Sequence, residues 1–191
     1  MKLRYRSSLP IPALVFGLSS VLAAAVFPRY TAEDLAAQSE TIVQGSVIRS
    51  WAAWDSEHKY IWTHYEVALT DVLRGARTAS ITVSEPGGSL EGINQQFSGT
   101  VPYTQGESVV LFLFKTPIGY WRAVGGPQGK FTVERDGRLR SGAQSVVYAD
   151  NAGRAATGTP LATLEGLSIL DFKNRVRSLA AAHPFTGKSL Q

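Results

Sequence analysis

From Thr41 onward, apolar and polar residues alternate with a period of two. Val43, Gly45 and Val47 share one face of a first strand that runs on toward Trp51. Ala52 to Lys59, with Trp54, Asp55, Ser56, Glu57 and His58, reads as a polar loop carrying aromatics. A long second strand follows. It sets Ile61, Thr63, Tyr65, Val67 and Leu69 on one face and Trp62, His64, Glu66, Ala68 and Thr70 on the other. Val72-Leu73-Arg74-Gly75 ends it in a glycine turn, and Ile81-Thr82-Val83 makes a short third strand before Pro86-Gly87-Gly88. Residues 87 to 106 are rich in Gly, Gln, Asn and Ser, which predicts a long loop or an irregular hairpin.

The pattern then changes. Val109 to Phe114 is unbroken apolar sequence between Gly106 and Pro117, the mark of a strand buried on both faces and too short for a strong helix. Tyr120 to Val124 is another strand, and Phe131 to Arg135 and Arg138 to Ser141 flank Asp136-Gly137, the signal for a two-residue type I′ turn. Two segments read as helices. Thr31 with Asp34 offers an N-cap and its partner acid for a helix of about two turns. Ser168 with Asp171 does the same for a tail in which Phe172, Val176 and Leu179 recur at helical spacing, with Lys173, Arg175 and Arg177 elsewhere on the helix. The expected fold is mainly β: a small antiparallel OB-like barrel, or a sandwich, with a short N-terminal helix and an amphipathic C-terminal one. The domain would occupy about residues 30–148, a linker 149–159 and the helical tail 160–183.

The N-terminus adds an address. Lys2, Arg4 and Arg6 precede the apolar run Leu9 to Ala25, which closes on Ala23-Ala24-Ala25. This is the three-part pattern of a signal peptide, residues 1–25, with cleavage expected after Ala25 and the protein exported to the periplasm or beyond. Retention as a membrane anchor is the alternative, weakened by Pro10, Pro12 and Gly17; after cleavage no stable membrane insertion is expected. The full chain of 191 residues carries a net charge of +4, but removing Lys2, Arg4 and Arg6 leaves 16 basic against 15 acidic residues. That near-neutral remainder lacks the electrostatic footprint of a nucleic-acid binder. There is no cysteine, so disulfides, thiolate zinc sites, iron-sulfur clusters and a thiol nucleophile are excluded.

Glu40 to Val47, Tyr65-Glu66-Val67-Ala68-Leu69-Thr70-Asp71-Val72-Leu73-Arg74-Gly75, Pro86-Gly87-Gly88, Pro102 to Leu113 and Gln128-Gly129-Lys130-Phe131 follow one another in an order that resembles a family of uncharacterised exported bacterial domains. More remotely, the order is similar to the netrin-like module of tissue inhibitors of metalloproteinases. That resemblance implies a five-stranded OB-type barrel with flanking helices. The inhibitory residues do not carry over, because that family meets its target through an N-terminal cysteine.

Candidate chemistry is sparse. Trp51, Trp54, Tyr60 and Trp62 cluster around one predicted loop and are the candidate binding surface for a protein or glycan; packing at the barrel end is the plainer role for Trp51 and Trp62. His64 and Glu66 fall on one face of a strand, about 7 Å apart. With His58, Asp55 or Glu57 as a third ligand they form a candidate metal or hydrolase site, against the plainer reading of a solvated strand face. No G-x-S-x-G turn occurs in the predicted domain, and no Walker loop or dinucleotide fingerprint is present; no cofactor is expected. The expected function is therefore a non-enzymatic binding module. A hydrolase using His64 and Glu66, or a structural subunit docking through the C-terminal helix, are the alternatives.

Overall fold

The computed structural model describes residues 26–145, 147–149, 155, 156 and 163–187. The predicted export segment 1–25 lies outside the described residues, as does most of the predicted linker. Chain order is β1 (Val26–Pro28), α1 (Ala32–Gln38), β2 (Thr41–Trp54), β3 (Ile61–Arg74), β4 (Ser80–Pro86), β5 (Gly88–Leu90), β6 (Ile93–Gln95), β7 (Ser108–Lys115), β8 (Trp121–Ala123), β9 (Lys130–Val133), β10 (Leu139–Ser141), β11 (Val147–Ala149), β12 (Ala155–Ala156) and α2 (Ile169–Ala182).

Seven strands form one sheet in the order β10-β9-β7-β2-β3-β4-β8, and β8 returns to pair with β7. One edge of β7 is taken by β2 over Ser108 to Leu113, the other by β9 at Val109 to Leu111 and by β8 at Leu113 to Lys115. The result is a five-strand ring, β2-β3-β4-β8-β7, in which neighbours are antiparallel except for β4 and β8. Counted along the chain, the ring runs first, second, third, fifth, fourth and back to first. This is the OB-like barrel that the strand pattern predicts. Its weakest join is β4 to β8, held at the single pair Val83 and Trp121.

The apolar run of β7 explains why the ring has a second layer. Val109, Leu111 and Leu113 point into the barrel with Val43, Val47, Val67, Val83 and Ala123. Val110 and Phe112 face the opposite way and pack with Ile42, Phe131, Leu35 of α1 and Phe172, Val176 and Leu179 of α2. Both faces of β7 are thus dry, and the helices cover the face the barrel leaves open. The predicted caps are in place: Thr31 Oγ1 accepts the Asp34 N–H and Ser168 Oγ accepts the Asp171 N–H. Arg74, at the end of β3, caps both helices from below, its guanidinium donating to the carbonyls of Ala36 and Ser39 and of Ala180 and His183.

Several predicted boundaries are corrected. β2 runs through Trp54, so the predicted loop from Ala52 shrinks to residues 55–60, because Ala52, Ala53 and Trp54 continue the ladder with Thr63, Trp62 and Ile61. β4 extends from Ser80 to Pro86 rather than stopping at Val83, and the segment after it contains the small hairpin β5–β6. The turn at Asp136-Gly137 is not the two-residue type I′ form. The Gly137 N–H closes a turn onto Glu134, and only Gly137 takes a left-handed φ, of 77°. That assigns the strain of the left-handed region to the glycine and spares Asp136.

Gly45 has a different reason to be glycine. A Cβ there would run into the carbonyl of Ala68 on β3, where the β2–β3 register shifts and the barrel wall bends.

Phe172 is fully buried between the rings of Phe112 and Phe131. Phe172→Ala is expected to lower the unfolding free energy by about 3–5 kcal/mol. Leu170→Ala, at a position 64% exposed on the same helix, should change it by no more than about 0.5 kcal/mol. Urea denaturation of the two variants checks the pair.

Candidate functional site

The alternation of β3 fixes what its two faces carry. On the outer face, His64 lies opposite Trp51 on β2 and Ser84 on β4, Trp62 lies opposite Ala53 and Pro86, and Glu66 lies opposite Arg49 and Thr82. Side chains in these rows touch. Trp51 and His64 are 5.3 Å apart between ring centroids, His64 and Tyr120 5.4 Å, and Tyr120 and Trp62 4.8 Å. Four rings from β2, β3 and the turn before β8 therefore make one continuous row. Arg49 closes one end, stacked 4.7 Å over Trp51 and bonded through Nε to Glu66 at 2.7 Å.

Of the four aromatics singled out in the sequence, Trp51 and Trp62 join this row; Trp51 is 37% exposed. Trp54 and Tyr60 do not. Trp54 stacks with His58 and donates its indole N–H to Glu91, while Tyr60 meets Phe97 edge to face with Lys59 4.9 Å over its ring. The two pairs flank the same hairpin tip but look onto different surroundings.

Three of the candidate metal ligands are engaged elsewhere. His64 Nδ1 pairs with Ser84 Oγ at 2.7 Å, Glu66 is held by Arg49, and Asp55 accepts the Lys59 N–H to close the hairpin turn. Among the described residues no three His, Asp or Glu side chains gather as a metal would need. Burial pushes the His64 imidazole below its ordinary value of 6.5, which keeps it neutral at physiological pH. A neutral histidine bonded to a serine can pass a proton. The bond ties β3 to β4, with Ser84 only 2% exposed and, among the described residues, no carboxylate bonded to the imidazole.

A groove of about 450 Å³ adjoins the row. Ser80, Thr82 and Ser84 line it along β4, and Tyr120 and Trp121 form the far wall. Leu69 and Val43 show that it reaches toward the barrel interior through the thin β4–β8 join. Ser84 and Tyr120 were not singled out from the sequence. The alternation that puts Ile81 and Val83 inside the barrel puts Ser80, Thr82 and Ser84 outside, so the serine was legible; Tyr120 is brought in by a turn whose position depends on the tertiary fold.

The same alternation predicts a buried acid. Glu85 continues the inward phase of Ile81 and Val83 and is 2% exposed, bonded to Arg122 of β8 at 3.0 Å. Burial raises its carboxyl above the ordinary 4.5, with the Arg122 charge pulling the other way. Beside it, Tyr103 lies between Tyr65 and the Lys130 ammonium, which also bonds Glu107. Burial tends to raise the Glu107 carboxyl, but bonds from Lys130 and Thr132 bring it below its ordinary 4.5 overall. These charges pair across the mouth of the barrel and cancel locally.

The chain matches no protein-family model, no curated protein and no solved structure.

The two glutamates act oppositely on stability. Glu107, lowered in the folded state, contributes stability that is fully present above pH 4.5 and is lost as pH falls through its folded pKa. Glu85, raised, contributes in the reverse sense: its share is present below 4.5 and lost as pH rises through its folded pKa. Glu107→Gln should cost about 1.5–3 kcal/mol at neutral pH and flatten the decline in stability below pH 4.5. Urea midpoints measured across the acid range decide this; an unchanged acid slope would show that the Lys130 pairing adds nothing.

Proposed function

We propose that this protein is an exported, non-enzymatic binding module that holds a protein or glycan ligand of the cell envelope on the outer face of β3 and β4. The observation that carries the reading is the continuous aromatic row Trp51, His64, Tyr120 and Trp62 bordering an open groove. Its position supports the same reading. In OB-like barrels the face of the second and third strands, flanked by the first hairpin and the loop between the fourth and fifth strands, is where ligands are bound. Here that face is β3 and β4, the hairpin is residues 55–60, and the loop carries Tyr120.

Electrostatics narrows the ligand. The Arg49–Glu66 pair is internally neutral, and the residues lining the groove include no charged side chain. A polyanion would find no complement there, which disfavours nucleic acid. Export rests on the basic, apolar and small-residue pattern of residues 1–25. Among the described residues no helix is long and apolar enough to cross a membrane. Docking through α2 would have to use its polar side, since Phe172, Val176 and Leu179 are already buried in the chain's own core.

Glycan arrays and random-peptide display against the purified protein test the reading. Ligands retained by the wild type should lose at least about tenfold in affinity on Trp62→Ala with Tyr120→Ala, a loss of about 1.4 kcal/mol or more, and be unaffected by Leu170→Ala. Ligands held equally by the double variant would place binding elsewhere. Retention of nothing from either library would overturn the binding-module reading.

A further inference from the structure

Past Val83, the inward phase of β4 places an acid where a barrel wall ordinarily takes an apolar residue. Thr63 and Tyr65 carry the same phase on β3, opposite Glu85 and Val83. These three side chains and residues 96, 97 and 100–102 help to enclose a second cavity, of about 370 Å³, which shares no lining residue with the groove beside the aromatic row. Its walls are fixed by the fold. Thr63 Oγ1 donates to the Gly87 carbonyl at 2.7 Å, and Gln95 accepts the Ile61 N–H at 2.8 Å while donating to the Lys59 carbonyl at 3.1 Å.

Glu85 is the only charged side chain in that lining, and its bonding is half complete. Oε2 accepts from Arg122 at 3.0 Å, whereas Oε1 is buried with no hydrogen-bond partner among the described residues. Nε of Arg122 and the hydroxyl of Tyr103 are buried and unpaired in the same way. Leaving a buried charged acceptor without a donor is costly, and an apolar side chain in its place would avoid the cost. The acid is therefore explained by something it binds.

We propose that this cavity is a binding site for an uncharged, hydroxyl-bearing ligand, a sugar unit, whose hydroxyls donate to Glu85 Oε1 while its ring packs against Phe97 and Tyr65. The chemistry of the unpaired atoms selects the class. Glu85 Oε1 needs a donor, Arg122 Nε needs an acceptor and the Tyr103 hydroxyl takes either. A hydroxyl supplies both; an ammonium only donates and a carboxylate only accepts. Charge gives the same answer, since a cation would repeat the part of Arg122 beside its own charge and an anion would face Glu85. Size agrees too, because the volume lies at the lower end of the range of about 300–1,000 Å³ found for small-molecule sites. Phe97 is 38% exposed at the rim and so offers an apolar surface for the C–H face of a sugar ring. The site stands apart from the aromatic row and goes beyond the outer-face reading.

The probes are the methyl glycosides of glucose, galactose and mannose together with N-acetylglucosamine, titrated into the purified full-chain protein and followed by amide chemical shifts. At least one should give saturable shifts at Gly87, Gly88, Gln96 and Phe97. Glucosamine and glucuronate, carrying a positive and a negative charge, should bind more weakly than the best uncharged probe. Glu85→Gln should weaken binding at least about tenfold, because its amide turns the oxygen to Arg122 and leaves an N–H where the acceptor stood. Phe97→Ala, at an exposed position where the fold is not at stake, should weaken it about fivefold. No saturable shift with any uncharged probe would show that the cavity holds water only and would overturn the site. Full affinity in both variants, or tighter binding of either charged sugar, overturns it as well. If a sugar binds but shifts Ser84 and Tyr120 instead, and is lost on Trp62→Ala with Tyr120→Ala, the outer-face reading stands and this site falls. If the cavity binds sugar as expected while the outer face retains nothing, this site stands and the outer-face reading falls.

Discussion

The structure depends on the burial of β7 on both faces. A strand with apolar residues at every position from Val109 to Leu113 cannot lie on the surface of a sheet, because one face would then put valine and phenylalanine into water. The chain solves this by closing a barrel against one face and laying two helices against the other. Everything else is placed by that choice. β2 and β9 must flank β7, α2 must return from the end of the chain to cover Phe112 and Phe131, and the remaining ring neighbour of β7 can only be the three-residue β8. The thinness of β8 leaves β4 with one paired residue on its outer edge, so the groove follows from how the core is satisfied.

The local order of the fold was legible because it is written in short-range chemistry. The apolar run of β7, the period-two alternation of β2 and β3 and the capping residues Thr31 and Ser168 depend only on near neighbours. The ends of strands were less so. Ala52 to Trp54 looks like a loop by composition, yet it stays in the ladder because Thr63, Trp62 and Ile61 supply partners from across the hairpin. The turn at Gly137 departs from the type its Asp-Gly pair suggests because Asp136 keeps an ordinary φ and the glycine alone absorbs the reversal.

The candidate site divides along the same line. Trp51, Trp62 and His64 were visible as strand residues of known phase, and the phase is what brings them together. Trp54 and Tyr60, close to them in sequence, take different partners because the chain turns between them. Tyr120 completes the row from more than fifty residues away, which no local pattern encodes. The inward acid Glu85 was encoded in phase but not recognised, since its partner Arg122 lies on a strand paired to β4 through a single residue.

Arg74 ties the two ends of the domain in time as well as in space. Two of its four carbonyl acceptors, on Ala36 and Ser39, are made before it; the other two, on Ala180 and His183, follow it by more than a hundred residues. A chain emerging N-terminus first can pair β2, β3 and β4 and close the barrel as soon as β7 and β8 are out, but the guanidinium is left with half its partners until the tail arrives. The barrel can therefore form early, whereas the helical layer locks only once α2 has emerged.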